Sequence, residues 1–554
     1  MTTNDRINDN EQHMKRSHKL VGVVAAALWL GGCKDLDLAP TDRFTEATYW
    51  TNADRALTVL NSAYGGLYTA DFFFANDALS DNAYNQLGDF QGANSIARGA
   101  YDAALGRIRD EWNFHYGGIK TNHILLENID RVPNMDPTLK ARIIAETRFI
   151  RAFHYFQLLT WYGDVPFFTK DVTIEESRTI ARSPRAEVLA FVLSELDAVA
   201  PNLPTNVQYA AADRGRITKG AAIALKARVQ LYESRWADVV TTCEQLIDNT
   251  ANGTYALYPS YEGLFLPAAE NSSESILALG YAPEVRTHSN FRDFVPISIG
   301  DRVNNLAPTQ ELVNDYITTN GKGIAEAGSG YVETTPYTNR DPRLAATVVY
   351  DGYLWRRPDG STTTIYIRPG STPANADARN EFGKQNASTT GYYVRKYYDP
   401  TANATFQSAI DLMLIRYADV LLMYAEAKNE QGQLTAAIWD KTIGALRRRA
   451  GFTDPAALTF PTGATQATLR DIVRRERRSE LALEGLRVFD IRRWRIAETV
   501  LNTFAHGAKF GDPTIDNGYV RVDRRTFDKE KHYLWPIPQL ERDLNNNLSQ
   551  NPKW

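Results

Sequence analysis

Cys33 and three loop clusters rich in aromatic and hydrogen-bonding residues are where this sequence could do chemistry. Cys33 closes the run Leu30-Gly31-Gly32-Cys33. Its thiol can take a lipid, and the small residues before it let an extended backbone enter a narrow peptidase cleft. The clusters are Asp81, Asn82, Tyr84, Asn85, Gln86, Asp89 and Phe90; Tyr281, Asn290, Phe291 and Arg292; and Tyr353, Trp355 and Arg356. Aromatic faces can stack on the flat C–H patches of a sugar, while Asp, Asn, Gln and Arg can meet its hydroxyls. Candidate ligand contacts are therefore Asp81, Asn82, Tyr84, Phe90, Tyr281, Phe291, Arg292, Tyr353 and Trp355. The competing role for any single one is a loop anchor packed on the scaffold.

Other chemistries lack their residues. No His-Glu-x-x-His, Gly-x-Ser-x-Gly or phosphate-cradling Gly-Lys-Ser/Thr motif occurs. The 8 histidines are scattered, so no metal site is expected. No catalytic residue and no cofactor is assigned. A glycosidase carboxylate pair needs no fixed spacing, so a surface glycosidase stays as an alternative. The formal charge is −4 and no domain-sized basic block appears, which argues against nucleic acid as a partner. The Arg474–Arg493 segment is rich in arginine. Glu476, Glu480 and Glu484 recur every fourth residue within it, so its charges are expected to pair along a helix. Glu426 sits in an apolar helix and is expected to be a buried carboxylate bonded to Arg416 or to an arginine of that later segment. There are 2 cysteines, so a disulfide framework is absent. With Cys33 lipidated, Cys243 reads as a small buried hydrophobe.

Certain elements must position these residues. Lys15, Arg16 and Lys19 form a basic flank, and Leu20 to Leu30 is an apolar run too short to span a bilayer. Together with Leu30-Gly31-Gly32-Cys33 they resemble the signal peptide and lipobox of a bacterial lipoprotein, cut before Cys33. Met14 offers an alternative start of translation. Residues 1–32 are thus expected to be removed, and 33–50 to be a lipidated tether. Lys34-Asp35-Leu36-Asp37 resembles the charged export tag of surface lipoproteins.

Apolar residues at helical spacing predict helices over 51–68, 112–129, 139–161, 184–200, 219–234 and 236–247. Asp136-Pro137 supplies a cap and first-turn proline for the third. Residues 51–250 thus form a helical region. From 251 to 408 Gly, Pro, Thr, Asn and Tyr dominate, with short strands expected at 347–350 and 392–398. So long an irregular stretch is usually functional. Helices return at 413–430, 435–450 and 466–487, within a helical part spanning 409–500. A proline-punctuated strap, 501–554, ends the chain, and the whole is expected to be one compact unit.

Five stretches, in order, resemble the SusD/RagB family of nutrient-uptake lipoproteins. They are Ala145-Glu146-Thr147-Arg148-Phe149-Ile150-Arg151-Ala152 through Trp161-Tyr162-Gly163-Asp164-Val165-Pro166; Asp341-Pro342-Arg343-Leu344; Leu414-Ile415-Arg416-Tyr417-Ala418-Asp419 through Ala425-Glu426-Ala427; Arg475-Glu476-Arg477-Arg478-Ser479-Glu480 through Asp490-Ile491-Arg492-Arg493-Trp494; and Pro536-Ile537-Pro538 with Asn551-Pro552. The resemblance implies a mainly α fold. Tetratricopeptide-like helix pairs form its scaffold, and an irregular, loop-rich region with a few short strands packs on it. It further implies a lipid-anchored protein exposed on the outer-membrane surface. Such a protein captures an oligosaccharide, or in RagB-type members a peptide, and passes it to a SusC-like TonB-dependent transporter without catalysis. A tetratricopeptide scaffold that binds only protein is the remaining alternative.

Overall fold

A computed structural model describes residues 46–86, 88–300, 304–371, 377–378, 387–402 and 406–554. The expected signal segment, Cys33 and nearly all of the expected tether lie outside the described residues. The described residues are mostly helical with a few short strands, which settles the mainly α class.

The helical region opens with α1 (Ala53–Gly65), α2 (Gly106–Asn128) and α3 (Pro137–Tyr162). α4 (Arg185–Val199), α5 (Lys219–Tyr232) and α6 (Trp236–Ile247) follow. Asp136 accepts the Leu139 N–H at 2.8 Å and Pro137 opens α3, as the sequence predicts. α2 packs on α3, α3 on α4, and α5 on α6. Ala221, Ala222, Ala224 and Ala227 of α5 are buried, and these small side chains let neighbouring helices approach. Cys243 is free and buried in α6.

Two of the later helices differ from expectation. Residues 412–416 are a strand rather than the start of a helix. Leu412–Arg416 pairs antiparallel with Ser275–Leu279, and α8 (Tyr417–Glu430) begins only after it. All five strand residues are buried, and a short apolar run of this kind has no periodicity that separates strand from helix. The segment 466–487 breaks into α9 (Gln466–Glu480) and α10 (Arg487–Arg493), with α7 (Gln310–Asp315) earlier in the chain. The break is set by Leu483 (φ 61°) and Gly485 (φ 72°). A Cβ on Gly485 would lie 2.5 Å from the Phe73 carbonyl oxygen, so only glycine lets this turn meet the N-terminal region. The helix over 435–450 carries a π-turn, Asp440–Gly444, in its middle. The two short strands expected in the irregular region form and pair with each other, Val348 with Val394 and Val349 with Tyr393.

The arginine-rich segment is structural, but its glutamates do not pair along the helix; the same-helix pair it forms is Asp490 with Arg493 at 2.8 Å. The glutamates pair between elements. Arg416 reaches Glu274 and Glu480 at 2.7 Å and grips both oxygens of Glu484 at 2.8 and 2.7 Å. Arg343 joins Asp341, Glu476 and Glu480, Arg447 joins Glu476, and Lys396 joins Glu484. Arg449 bonds Glu274 and Glu480. Glu426 is held by Arg493 and by the Trp494 indole N–H, so its partner comes from the later segment and not from Arg416. The strap closes the scaffold: the Trp535 ring stacks on Trp161 of α3 at 3.9 Å, and the Trp535 backbone N–H donates to the Trp161 carbonyl at 2.7 Å.

Candidate functional site

A cleft of about 520 Å³ opens where three irregular segments meet. One is the loop from Tyr331 to Arg340. The second is the paired-strand region carrying Tyr350, Asp351 and Tyr392. The third is the turn between Phe504–His506 and Arg521–Arg524, which brings Lys509, Phe510 and Tyr519. α7 adds Gln310 and Val313. The turn is pinned by close backbone contact. The Ala508 N–H donates to the Thr390 carbonyl at 2.6 Å, and a Cβ on Gly507 would lie 2.3 Å from that same oxygen.

The wall is aromatic with polar tips. Tyr337 and Tyr350 stack at 4.0 Å and 17°. Tyr353 meets the edge of Tyr350 at 5.4 Å. The Tyr337 and Tyr392 hydroxyls lie 3.2 Å apart, and Tyr392 donates to Gln310 Oε1 at 2.6 Å. Arg368 covers the Phe510 ring at 4.6 Å, and Lys509 pairs with Glu333 at 3.1 Å. Burial raises the phenol pKa of Tyr337 and Tyr350, and pushes Tyr331 up to about 12. All three are therefore neutral phenols that can both donate and accept. Stacking faces beside fixed donors and acceptors suit a sugar ring.

His506 fastens this wall. Its Nδ1 lies 2.6 Å from Glu311 Oε1 on α7, and its Nε2 lies 3.1 Å from Asp516 Oδ2, itself bonded to Arg521. The bond to Glu311, outweighing burial and helped by Asp516, raises the imidazole pKa. A raised His pKa stabilises the clamp fully below the unfolded value of about 6.5, and that contribution is lost as pH rises through the folded value. Ligand affinity should therefore weaken roughly two- to threefold on going from mildly acidic to alkaline pH. His506→Gln should flatten that dependence. Calorimetry across pH on both proteins checks this, and an unchanged pH slope in the variant would refute the clamp.

The structure scatters the residues expected from sequence. Asp81 is buried between Arg487 and Arg478, and Asn82 is buried against Asp77 and Arg478, so both are closed off from any ligand. Phe291 packs on Tyr398 in the core, and Trp355 is fully buried beneath Arg395. These four correct the expectation: their polar or aromatic character serves the interior. Tyr84, Phe90, Tyr281, Arg292 and Tyr353 stay half-buried at the surface. Phe90 borders a small recess with Asn290 and Asp293, Arg292 lies over Phe406 at 3.9 Å, and Tyr281 lies under Arg286. Only Tyr353 abuts the cleft. The residues missed, Tyr331, Tyr337, Tyr350, Arg340, Lys509 and Tyr519, come from segments far apart in sequence. The one signal for Tyr331, Tyr337 and Tyr350 was the general density of tyrosine in 251–408; Arg340, Lys509 and Tyr519 carried none. Among the described residues no cluster of His, Cys, Asp or Glu could hold a metal ion, and no helix is long and apolar enough to cross a membrane.

Comparison with known proteins gives these observations a family. Residues 273–554 match the SusD family, and residues 42–231 match a family described as starch-binding, associating with outer membrane. A SusD-like protein of Formosa agariphila is 26% identical, covering 89% of this chain and 88% of its own. The starch-binding protein SusD of Bacteroides thetaiotaomicron is 25% identical over 76% of this chain and 75% of its own. A crystal structure of a SusD-like carbohydrate-binding protein from Bacteroides fragilis superposes with a TM-score of 0.81 at 30% identity, covering 91% of this chain and 100% of that one. The order of motifs, the helical scaffold with its buried ionic core and these likenesses agree: this chain belongs to the SusD family.

Proposed function

We propose that this protein is a non-catalytic, lipid-anchored binder of oligosaccharides on the outer-membrane surface, and that the tyrosine-lined cleft takes the glycan. The observation that carries the reading is the Tyr337–Tyr350 stack set among neutral hydroxyls and charged side chains. Family membership and the starch- and carbohydrate-binding relatives support it. No described helix can span a bilayer, so a captured ligand needs another protein to carry it inward. A SusC-like TonB-dependent transporter fills that role in this reading. Tethering both proteins to one membrane keeps even a modest interface occupied.

Calorimetry against a panel of oligosaccharides tests the site. Tyr337→Ala and Tyr350→Ala should each weaken binding by about tenfold or more. Phe90→Ala and Arg292→Ala should change it by less than about twofold if the cleft is the principal site. The reverse ranking would move the site to those loops. Steady release of new reducing ends would instead make the protein an enzyme. Cys33→Ser should shift the protein from the membrane fraction to the soluble one, and retention in the membrane would refute the anchor. Gentle detergent extraction should recover a large barrel protein alongside this one. Isolation alone, with ligand uptake unchanged on deletion, would refute the partnership.

A further inference from the structure

The charged groups of the cleft do not balance. It holds Arg340, Arg368 and Lys509 against Glu333 and Asp351, on a chain whose overall formal charge is −4. Lys509 has Glu333 at 3.1 Å. Asp351 accepts the backbone N–H groups of Ile367 and Arg368 and lies 3.7 Å from Arg368 Nε.

Arg340 differs from both. It is 6% exposed, and all its bonds go to neutral carbonyls. Nε donates to Tyr316 at 3.2 Å. Nη2 donates to Val313 and Tyr316 at 2.6 and 2.7 Å, and Nη1 donates to Pro336 at 2.7 Å. Asp341, next in the chain, is committed to Arg343. No carboxylate among the described residues forms an ion pair with Arg340, whereas Arg343, Arg447 and Arg478 are each gripped by one; Arg492 and Arg525 also bond backbone carbonyls, but neither lines the cleft. Burial works against its charge, but guanidinium stays protonated throughout the working pH range. The carbonyls fix the plane of the guanidinium and cannot neutralise it. A ligand therefore meets a positive group whose ordering cost is already met.

We propose that the oligosaccharide taken by this cleft is acidic, carrying a carboxylate or sulfate that compensates Arg340 and reaches toward Lys509. The inference rests on the glycan-binding reading of the same cleft. A neutral sugar hydroxyl could accept from the one Nη1 N–H these carbonyls leave over but would leave the charge uncompensated. A planar carboxylate or a sulfate both accepts from guanidinium and offsets its charge. The tyrosine stack would hold the ring while the cations select its substituent.

The test is a set of matched ligands on the full soluble domain. Oligosaccharides of galacturonate, of alginate and of a chondroitin-type backbone are titrated beside their carboxyl-reduced, uncharged counterparts, with a sulfated galactan beside its desulfated form. At least one charged member should bind on the order of tenfold tighter than its neutral match, and the preference should shrink as salt rises. Arg340→Gln should remove most of that preference, weakening the charged member far more than its neutral counterpart. Lys509→Gln, at a more exposed position, should reduce it about threefold and supplies the readout if Arg340→Gln does not fold. Equal or tighter binding of the neutral forms overturns this inference and leaves the glycan reading intact. Failure of every charged and neutral glycan to bind overturns both.

Discussion

Replacing Arg416 by methionine should cost the fold about 3–5 kcal/mol, the range for breaking a buried ionic group by removing one partner. Arg416 is 1% exposed and touches three carboxylates, Glu274, Glu480 and Glu484. Its Nη2 also donates to the Glu480 carbonyl at 2.7 Å. Methionine fills a similar volume, so the loss is electrostatic rather than a cavity. Arg449 and Arg343 would still neutralise Glu480, and Lys396 would still reach Glu484. Glu484 would nevertheless lose two of its bonds at once. Denaturant unfolding of the wild type and Arg416→Met measures the difference. Adding Glu484→Gln should recover part of it, because the network is then no longer left with one excess negative charge. A loss below about 1 kcal/mol would mean that the network relaxes around the gap, as exposed ion pairs do.

This network explains why the scaffold was legible in sequence while its wiring was not. The 3.6-residue periodicity of α3, its Asp136 cap and the close-packing alanines of α5 are local signals, and they appear where expected. Glu476, Glu480 and Glu484 at every fourth residue are also a local signal, and there the local reading misled. The chain turns at Leu483 and Gly485, so Glu484 leaves the helix face and all three carboxylates point at other elements. Tertiary partners at separations such as Arg416 to Glu484 carry no mark in the intervening sequence. The candidate site is harder still. Asp81, Asn82 and Trp355 have the right chemistry for a sugar, but the interior needs the same chemistry to hold loops without helix or sheet. Tyr337 and Tyr350 have no such local distinction. They become a surface only because the strand pair at Val348 and Val394 brings the segments carrying Tyr350 and Tyr392 together.

Acid should unfold this protein steeply below about pH 4. Burial alone would raise the carboxyl of Asp81, but Arg478 and Arg487 outweigh it and hold the pKa far below the usual range. Asp419 is held down in the same way by Arg477 and Arg228, and Glu480 by Arg449 and Arg416. A carboxylate with a depressed folded pKa contributes stability that is present above the unfolded value of about 4 and is lost as pH falls through the folded one. Three such groups lose their stabilising charge together, against a margin of only about 5–15 kcal/mol in a typical domain. Between about pH 4 and 6.5 two other sets oppose each other. Burial pushes Asp77 and Asp411 up to about 6, so their ionisation makes stability fall as pH rises. Burial pushes His123, His288 and His532 down to about 4, so their neutralisation makes it rise. The profile should therefore be shallow across that interval and drop sharply below it. Urea midpoints measured from neutral to strongly acidic pH would trace this shape. Asp81→Asn should lower stability at neutral pH and make the acid fall shallower, since one of the three titrating groups is gone. A wild-type profile that stays flat well below pH 4 would show that these arginine-held carboxylates contribute little to the fold.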